Sequence, residues 1–467
     1  MSSLKSPFRV SISVNDAPPQ MLIVGDHYRI CPSRLVHEQA RRLTARQIDL
    51  VRLGLAIQLA DSWVKRSNAN NGYRHVSLEV DLLESHFWER PETIDRLKRS
   101  VDFLSGGDDW SFRFRKDAGA SHFRQRSLLQ PHDLEPIVCL YSGGLDSTSG
   151  MAIRMSQIQG QHVIPVTVRS QCQRGRVIRE QFELLQERGI ARPGQLHPYQ
   201  VGAYLQRKKM RSELGVRLRE ATHRCRPFLF YSIAGLVADI EGADKVEVYE
   251  SGIGAVNLPL VCGRPSWHTT RSTHPTFLRL MGDLVTHVND RDVEFHLPFL
   301  HWTKGEMVSA LVNLGLSDLA RSSVSCIMHP LRRGGSRRQC GYCPACIFRR
   351  QALSVAGLEE QPGTYVYDLF GNSVSADQVP HRFREVLLAF LQQVASLTSL
   401  DCPGGISARL NNHLLATEVV ASGQGAENDE YVALFRRHRR EWLDLASSCG
   451  ARGLWWSNRL MSRAIAA

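Results

Sequence analysis

Six residues that follow the apolar stretch 137–141 have the types and the order needed to bind phosphate: Ser142, Gly143, Gly144, Leu145, Asp146 and Ser147. The glycines allow several backbone N–H groups to turn toward one point, and the helix that the next residues predict adds its positive N-terminal end. The pattern predicts a polyphosphate site on these six residues and Thr148. No Gly-Lys-Ser/Thr follows at Walker A spacing. The alternative is an ordinary turn before a capped helix.

Three side chains extend this chemistry beyond the backbone. The hydroxyls of Ser142 and Ser147 add hydrogen-bond donors for phosphate oxygens. Asp146 would repel a phosphate unless a cation stands between them, so we expect it to help hold Mg²⁺ or to fix the shape of the loop.

Four cysteines form a second group: Cys326, Cys340, Cys343 and Cys346, spaced Cys-x13-Cys-x2-Cys-x2-Cys. Four thiolates suit a tetrahedral Zn²⁺, and a site closed by four sulfurs has a structural role. An iron–sulfur cluster is an alternative on ligand type, and His329 is an alternative fourth ligand.

The composition of the chain limits the classes of protein to which it can belong. Its 467 residues, 43% hydrophobic and 22% charged, are typical of a soluble enzyme of two or three domains. It has no apolar stretch of membrane-spanning length and no signal-peptide core, which predicts a cytoplasmic protein without membrane contact. The net charge of +12 is compatible with ATP, RNA or DNA as a partner, or with a solvated arginine-rich surface.

Periodicity predicts three regions. Residues 1–130 mix alternating strands with a helix capped by Thr44, which predicts an accessory α+β domain. Residues 136–353 alternate strand and helix, which predicts a doubly wound parallel sheet that binds ligands at the carboxyl ends of its strands. The phosphate loop and the turn 251–254 both lie at such ends. Residues 354–467 have mainly helical patterns.

Together, the loop at 142–147 and the CGYCPAC segment resemble 7-cyano-7-deazaguanine synthases, which are N-type ATP pyrophosphatases (PP-loop proteins). The stretches 298–299, 303–308 and 314–315 are similar to the family's "PF…SKAEIV…G" pattern, and 224–239 resembles its arginine-bearing buried helix. The resemblance covers 137 to about 353, with a zinc knuckle at 326–346.

The resemblance implies a reaction and roles for residues. Family members use ATP to adenylate the carboxylate of 7-carboxy-7-deazaguanine, and ammonia then gives an amide that a second ATP converts to the nitrile. By this likeness the loop 142–147 holds pyrophosphate, Asp146 and Lys304 are catalytic, and Lys304 neutralises phosphate charge. The candidate substrate residues are Gly252, Arg271 and His274.

This chain departs from the family pattern at the substrate. The stretch 270–277 lacks the acidic residue that the family places against a guanine-like edge, and a basic insertion, 332–338, is expected to form a flexible loop. The leading hypothesis is a ligase that joins a 7-deazapurine carboxylate to an amine, in a specialised form on a partner protein, because enlarged synthase-like proteins resemble components of bacterial anti-phage gene clusters. The alternatives are a tRNA-modifying thiolase or lysidine synthetase, for which nucleic acid is the partner, and a non-catalytic ATP-binding scaffold.

Overall fold

The structure is a computed structural model that describes residues 7–15, 17–32, 43–63, 65–66, 73–117, 136–158, 162–169, 174–192, 196, 198–214, 220, 222–258, 270–327, 331–333, 336–370, 381–397, 425–451, 454 and 456–457. The strands of its main sheet are β1 (Phe8–Val14), β2 (Gln20–Val24), β3 (Tyr28–Pro32), β4 (His75–Leu82), β5 (Asp109–Lys116), β6 (Ile137–Leu140), β7 (Val163–Arg169), β8 (Tyr199–Leu205), β9 (Lys245–Val248) and β10 (Glu294–His296). Helices span Ala45–Asp61, Ser85–Trp88, Pro91–Ser105, Leu145–Gln157, Arg174–Glu187, Arg207–Leu214, Arg226–Glu241, Gly252–Val256, Pro275–Asn289, Lys304–Asn313, Ser317–Ser322, Pro344–Val355, His381–Ser396 and Gly425–Ala451.

The strands form one ten-stranded sheet in the order β10-β9-β6-β7-β8-β3-β2-β1-β4-β5. From β10 to β8 all neighbours are parallel. The chain builds this part outward from β6, first to β7 and β8 on one side and then to β9 and β10 on the other. Parallel neighbours require crossover connections, and extension to both sides of the first strand is the arrangement of a doubly wound sheet. The predicted doubly wound parallel sheet is therefore confirmed.

The N-terminal strands continue the same sheet. β3 pairs antiparallel with β8, from Tyr28 opposite Leu205 to Pro32 opposite Val201. Beyond β3, the strands β2, β1, β4 and β5 extend the sheet further, with both parallel and antiparallel pairs. The predicted domain boundary near residue 130 therefore does not coincide with a break in the sheet, and the three-domain division stays a prediction.

Packing between helices also joins the two halves. Helix Ala45–Asp61 begins at the predicted cap, where Thr44 and Gln47 form a reciprocal capping box. This helix lies against helix Arg226–Glu241, and a Cβ added to Gly54 would be 3.0 Å from the Cα of Leu229. Both helices are buried around most of their circumference, and the buried residues of helix Ala45–Asp61 include Asp49, Arg52 and Asp61.

One expected loop has regular structure instead. Residues 332–338 were expected to be a flexible basic loop, but Leu331–Arg333 and Ser336–Arg338 pair as antiparallel strands β11 and β12. The segment consists of two arginine pairs around Gly334, Gly335 and Ser336, so it lacks the alternation of apolar and polar residues that predicts a strand. No helix of the described residues is long and apolar enough to span a bilayer.

Candidate active site at the switch point of the sheet

The crevice between β6 and β9 is where the order of the parallel strands reverses. These two strands are neighbours, with Val138 opposite Val246 and Leu140 opposite Val248. The connections that follow them lead to opposite sides of the sheet, so the loops at their carboxyl ends diverge and leave a space between them. The phosphate loop follows β6, and residues 249–254 follow β9.

Backbone conformation makes the phosphate loop turn sharply into a helix. Gly143 has φ +72°, a conformation that other residues rarely adopt, and a Cβ there would be 3.1 Å from Cγ1 of Ile178. Gly144 is extended and is the N-cap of helix Leu145–Gln157, and it makes no side-chain cap hydrogen bond. Ser325 Oγ accepts the Leu145 N–H, whereas the next N–H groups, those of Asp146 and Ser147, have no acceptor within the helix and are available to an anion.

Hydroxyl groups within the loop fix its shape. Ser147 Oγ lies 3.1 Å from Ser142 Oγ and accepts the Ser142 N–H at 3.3 Å. Ser142 Oγ in turn accepts the Gly144 N–H at 3.2 Å. Both hydroxyls thus lie within the loop, in positions from which they can be redirected to phosphate oxygens, and their contact with phosphate stays a prediction.

Two residues of the predicted set are placed differently. The Leu145 side chain is fully buried, so this residue offers only its backbone to a ligand. The Thr148 side chain is also fully buried, and its Oγ1 lies 3.3 Å from the hydroxyl of Tyr141. The side chains of both residues therefore belong to the packing beneath the loop.

Lys304 lies directly beside the loop. Its Nζ donates to Asp146 Oδ2, and it lies 3.5 Å from Glu250 Oε1. Burial disfavours the charged amine, but the carboxylates of Asp146 and Glu250 outweigh that effect and raise the pKa of Lys304. The lysine is therefore held in its charged form at the mouth of the crevice.

Glu250 is the residue of this site that sequence reasoning missed. It follows β9, directly before the Ser251 cap of the short helix Gly252–Val256. Burial and the Asp146 carboxylate raise its pKa to about 8, against the opposing effect of Lys304. The available signal was an acidic residue at the carboxyl end of a buried strand that neighbours β6.

The two carboxylates also suit a divalent cation. Asp146 Oδ1 is buried and accepts no hydrogen bond from the described residues. A buried carboxylate oxygen without a hydrogen bond costs free energy unless a cation binds to it. Mg²⁺ prefers oxygen ligands of this kind. Asp146 and Glu250 therefore fit a Mg²⁺ site beside the phosphate loop.

The predicted substrate residues lie in two places. The N–H of Gly252 donates to the carbonyl of Trp302 at 2.9 Å, and a Cβ on Gly252 would be 1.8 Å from the carbonyl oxygen of Leu300. Close backbone packing thus requires a glycine there. Its contact with substrate stays a prediction.

Arg271 and His274 meet on the ring of Phe103, which belongs to helix Pro91–Ser105 of the N-terminal region. The Arg271 guanidinium stacks 4.7 Å from the ring centroid, and its Nη1 donates to the Phe103 carbonyl at 3.2 Å. Burial lowers the pKa of Arg271, and among the described residues no carboxylate lies within 4.0 Å of its guanidinium. His274 is buried and caps helix Pro275–Asn289 by accepting the Thr276 N–H. Arg271 is therefore a cation without a counter-ion on the described part of the chain.

The four predicted cysteines come together. Their sulfurs all lie within 4.8 Å of one another, and all four residues are buried. Cys340 Sγ and Cys346 Sγ are 3.7 Å apart, close to the edge of about 3.8 Å that four ligands make around zinc at about 2.3 Å. His329, the alternative ligand, lies outside the described residues.

Backbone N–H groups support the sulfurs. Cys340 N–H donates to Cys326 Sγ at 3.2 Å, and Cys343 N–H donates to Cys340 Sγ at 3.3 Å. Hydrogen bonds from the other three sulfurs lower the pKa of Cys326. Hydrogen bonds between Cys346 and the other three sulfurs instead raise the pKa of Cys346. Four thiolates so close together require a cation, and the cluster is compatible with a zinc knuckle.

The cysteine cluster is tied to the phosphate loop through the residues that precede it. Val324 N–H donates to the Gly143 carbonyl at 2.9 Å, and Ser325 Oγ accepts the Leu145 N–H at 3.1 Å. Cys326 follows immediately in the chain. The segment that supplies the first sulfur therefore also supports the loop.

Comparison with known proteins agrees with this geometry. Residues 136–357 match the model of a family described as queuosine biosynthesis protein QueC, the 7-cyano-7-deazaguanine synthases. The matched segment contains the phosphate loop, Glu250, Lys304 and the four cysteines, and it confirms the resemblance seen in the sequence. Among curated proteins, none matches the chain.

Proposed function

Because residues 136–357 match the QueC family model, we propose that this protein is an ATP-dependent carbon–nitrogen ligase acting on a 7-deazapurine carboxylate. The carboxylate oxygen attacks the α-phosphorus of ATP, and the bond to the bridging oxygen breaks to release pyrophosphate. An amine then attacks the acyl carbon of the adenylate, AMP leaves with the bonding electrons, and the amine loses a proton.

One observation carries this proposal: Lys304 and the phosphate loop meet at the switch point of the sheet. Because a carboxylate is a poor electrophile, it must be converted to an acyl-adenylate before an amine can attack it. The barrier to this adenylation step falls when the departing pyrophosphate is stabilised. The loop at 142–147 would hold its oxygens through backbone N–H groups and the two serine hydroxyls. Lys304 would neutralise part of the charge that develops on the leaving group.

Two metals belong to the proposal. Asp146 and Glu250 would hold Mg²⁺, which when bound neutralises phosphate charge. Cys326, Cys340, Cys343 and Cys346 would hold a structural Zn²⁺, which when bound fixes the knuckle that follows Ser325.

Arg271 is the residue that we assign to the carboxylate substrate. A guanidinium can bind a carboxylate with two parallel hydrogen bonds, and stacking on Phe103 already restricts its orientation. The contact also brings the N-terminal region to the predicted substrate segment, since Phe103 lies outside the family match. His274 would support Arg271 from the same ring.

The amine acceptor is proposed to be carried by a partner protein. The N-terminal region and the residues after 357 lie outside the family match, so their surfaces are available to a partner protein. Docking of such a partner, as in an anti-phage system, would be one role of these regions.

Pyrophosphate release is the test of the activity. Purified protein is incubated with ATP, Mg²⁺ and 7-carboxy-7-deazaguanine, with ammonium, free amines or candidate proteins as acceptors, and products are identified by mass spectrometry. The proposal expects pyrophosphate and AMP in equal amounts together with an amide. If no carboxylate yields pyrophosphate, the ligase assignment is wrong.

A tRNA-modifying enzyme is the second candidate because the net charge is +12. Its distinguishing result is tight tRNA binding that weakens steeply with salt. A scaffold would instead retain full biological activity after Asp146→Ala.

A further inference from the structure

The C-terminal helix Gly425–Ala451 lies outside the family match and contacts the start of the helix that carries Lys304. Thr303, the N-cap of helix Lys304–Asn313, donates its hydroxyl hydrogen to Glu441 Oε1. The second oxygen of Glu441 accepts a hydrogen bond from Gln351 Nε2 at 2.8 Å. Glu441 is therefore fixed at both oxygens and bonds to the residue directly before Lys304.

Arg437, one helical turn earlier, binds the same helix start. Its Nε donates to Glu306 Oε1 at 2.7 Å, and its Nη2 donates to the His301 carbonyl at 2.6 Å. Glu306 is the other member of the capping box with Thr303. Each member of this capping box, Thr303 and Glu306, is thus hydrogen-bonded to a side chain of the C-terminal helix.

Side chains of the C-terminal helix pack closely against Gly305 and Gly252, which restricts the movement of these segments. A Cβ added to Gly305 would be 2.7 Å from Glu441 Oε1, so the Glu441 carboxylate lies close against the backbone of the helix that carries Lys304. Leu434 packs in the same way over Gly252, two residues after Glu250. The C-terminal helix therefore packs against the two segments that carry Lys304 and Glu250.

We propose that Glu441 and Arg437 are positioning residues that hold Lys304 toward Asp146, so that the C-terminal region is part of the nucleotide site. The proposal rests on the proposed function, in which Lys304 contacts phosphate. A lysine has four flexible methylenes, and its ammonium group stays in place only if the backbone that carries it stays in place. Glu441 and Arg437 supply that constraint without contacting ATP.

The experiment reads the position of Lys304 directly. An acyl-phosphate derivative of ATP acylates a lysine that lies against the phosphates: the Nζ attacks the acyl carbon, ATP leaves, and the amine loses a proton. The extent of labelling at Lys304 is measured by peptide mass spectrometry in the full-length protein. Pyrophosphate release with ATP and carboxylate is measured in parallel, as kcat and KM.

The variants are Glu441→Ala, Arg437→Ala and the conservative Glu441→Gln, which keeps an acceptor for Thr303. Arg440→Ala is the matched control because Arg440 is an exposed residue of the same helix. Both alanine variants at 437 and 441 are expected to lower Lys304 labelling and kcat by about tenfold or more, as misplacement of a catalytic group does. Glu441→Gln should recover most of both, and Arg440→Ala should match wild type.

The outcomes separate the two proposals. If wild type is labelled at Lys304 and both alanine variants are labelled equally well, the positioning role is wrong, whatever the ligase assay gives. If wild type is not labelled at Lys304 although ATP binds, the phosphate role of Lys304 itself fails. Since Arg437 is partly exposed, Arg437→Ala keeps the test decisive if Glu441→Ala does not fold.

Discussion

Lys304 and Asp146 form an ion pair although 158 positions separate them in the chain. The pair connects the phosphate loop after β6 with the helix that follows β10, and it lies next to Glu250 after β9. The segments that follow three neighbouring parallel strands, β6, β9 and β10, thus deliver one cation and two carboxylates to one crevice.

Lys304 is predicted to act directly on the reaction. Lys304→Ala should lower kcat for pyrophosphate release by about 10²- to 10³-fold, the usual cost of removing a group that stabilises developing charge. The melting temperature should fall as well, because alanine leaves the carboxylates of Asp146 and Glu250 without their cation. Lys208→Ala is the control, since Lys208 is exposed on another helix. Equal kcat in both variants would remove Lys304 from the mechanism.

Glu250 is predicted to make stability depend on pH in metal-free and nucleotide-free protein. Its pKa is raised from 4.5 to about 8 on folding, so the folded state favours the protonated carboxyl. This contribution is full below about pH 4.5 and is lost as pH rises toward 8. Glu250→Gln should remove the dependence, with a gain in free energy of unfolding on the order of 2–3 kcal/mol at pH 8.5, reduced by partial solvent access.

Denaturant unfolding at pH 5 and pH 8.5 measures this effect. Wild type and Glu250→Gln should differ at the higher pH and converge at the lower one. A difference of the same size at both values would show that Glu250 does not titrate in this interval.

Gly143 is predicted to be needed for its backbone conformation and for its place in the loop. Gly143→Ala forces an L-residue into φ +72° and should cost about 1–2 kcal/mol of stability. Gly189 has φ +71° and nothing within 4 Å of an added Cβ, so Gly189→Ala is a control with the same strain outside the loop. By calorimetry, ATP affinity should fall only in Gly143→Ala. Equal affinities would mean that the loop does not bind the phosphates.

Metal removal is predicted to affect the phosphate loop. Cys343→Ser should lower bound zinc, measured by plasma mass spectrometry, and should lower the melting temperature. ATP affinity should fall too, since Ser325 joins the knuckle to Leu145. Cys31→Ser, on strand β3, should leave zinc content unchanged. Retention of a full equivalent of zinc in Cys343→Ser would contradict the four-cysteine site.

Arg271 is predicted to contribute to binding of the carboxylate. Arg271→Ala should raise KM for the carboxylate by about 10-fold or more and leave KM for ATP unchanged, because a charged hydrogen-bonded contact is lost. Arg271→Lys keeps the charge but loses the planar fork and should recover only part of the affinity. If KM for ATP rises instead, Arg271 belongs to the nucleotide site.

The local motifs can be recognised in the sequence because short-range chemistry determines them. The phosphate loop needs adjacent glycines and serines, and the last three cysteines are spaced within seven residues, so both patterns are visible in the chain. The Thr44 capping box likewise depends on residues three positions apart.

Contacts between distant segments were less visible. Glu250 has an ordinary sequence context, and its role emerges only because β9 pairs with β6. Strand β3 was not predicted, and its pairing with β8 places the N-terminal strands in the main sheet.

The sequence alone thus determined the glycine-serine loop at 142–147, the cluster of four cysteines and the parallel-sheet class, because each depends on residue types at short spacing or on periodicity. Only the tertiary structure decided three contacts between distant residues. Glu250 lies beside Lys304, Arg271 stacks on Phe103, and Glu441 accepts a hydrogen bond from Thr303, the cap of the Lys304 helix. Those relationships depend on strand order and on how helices pack, and no local pattern encodes which distant segments will meet.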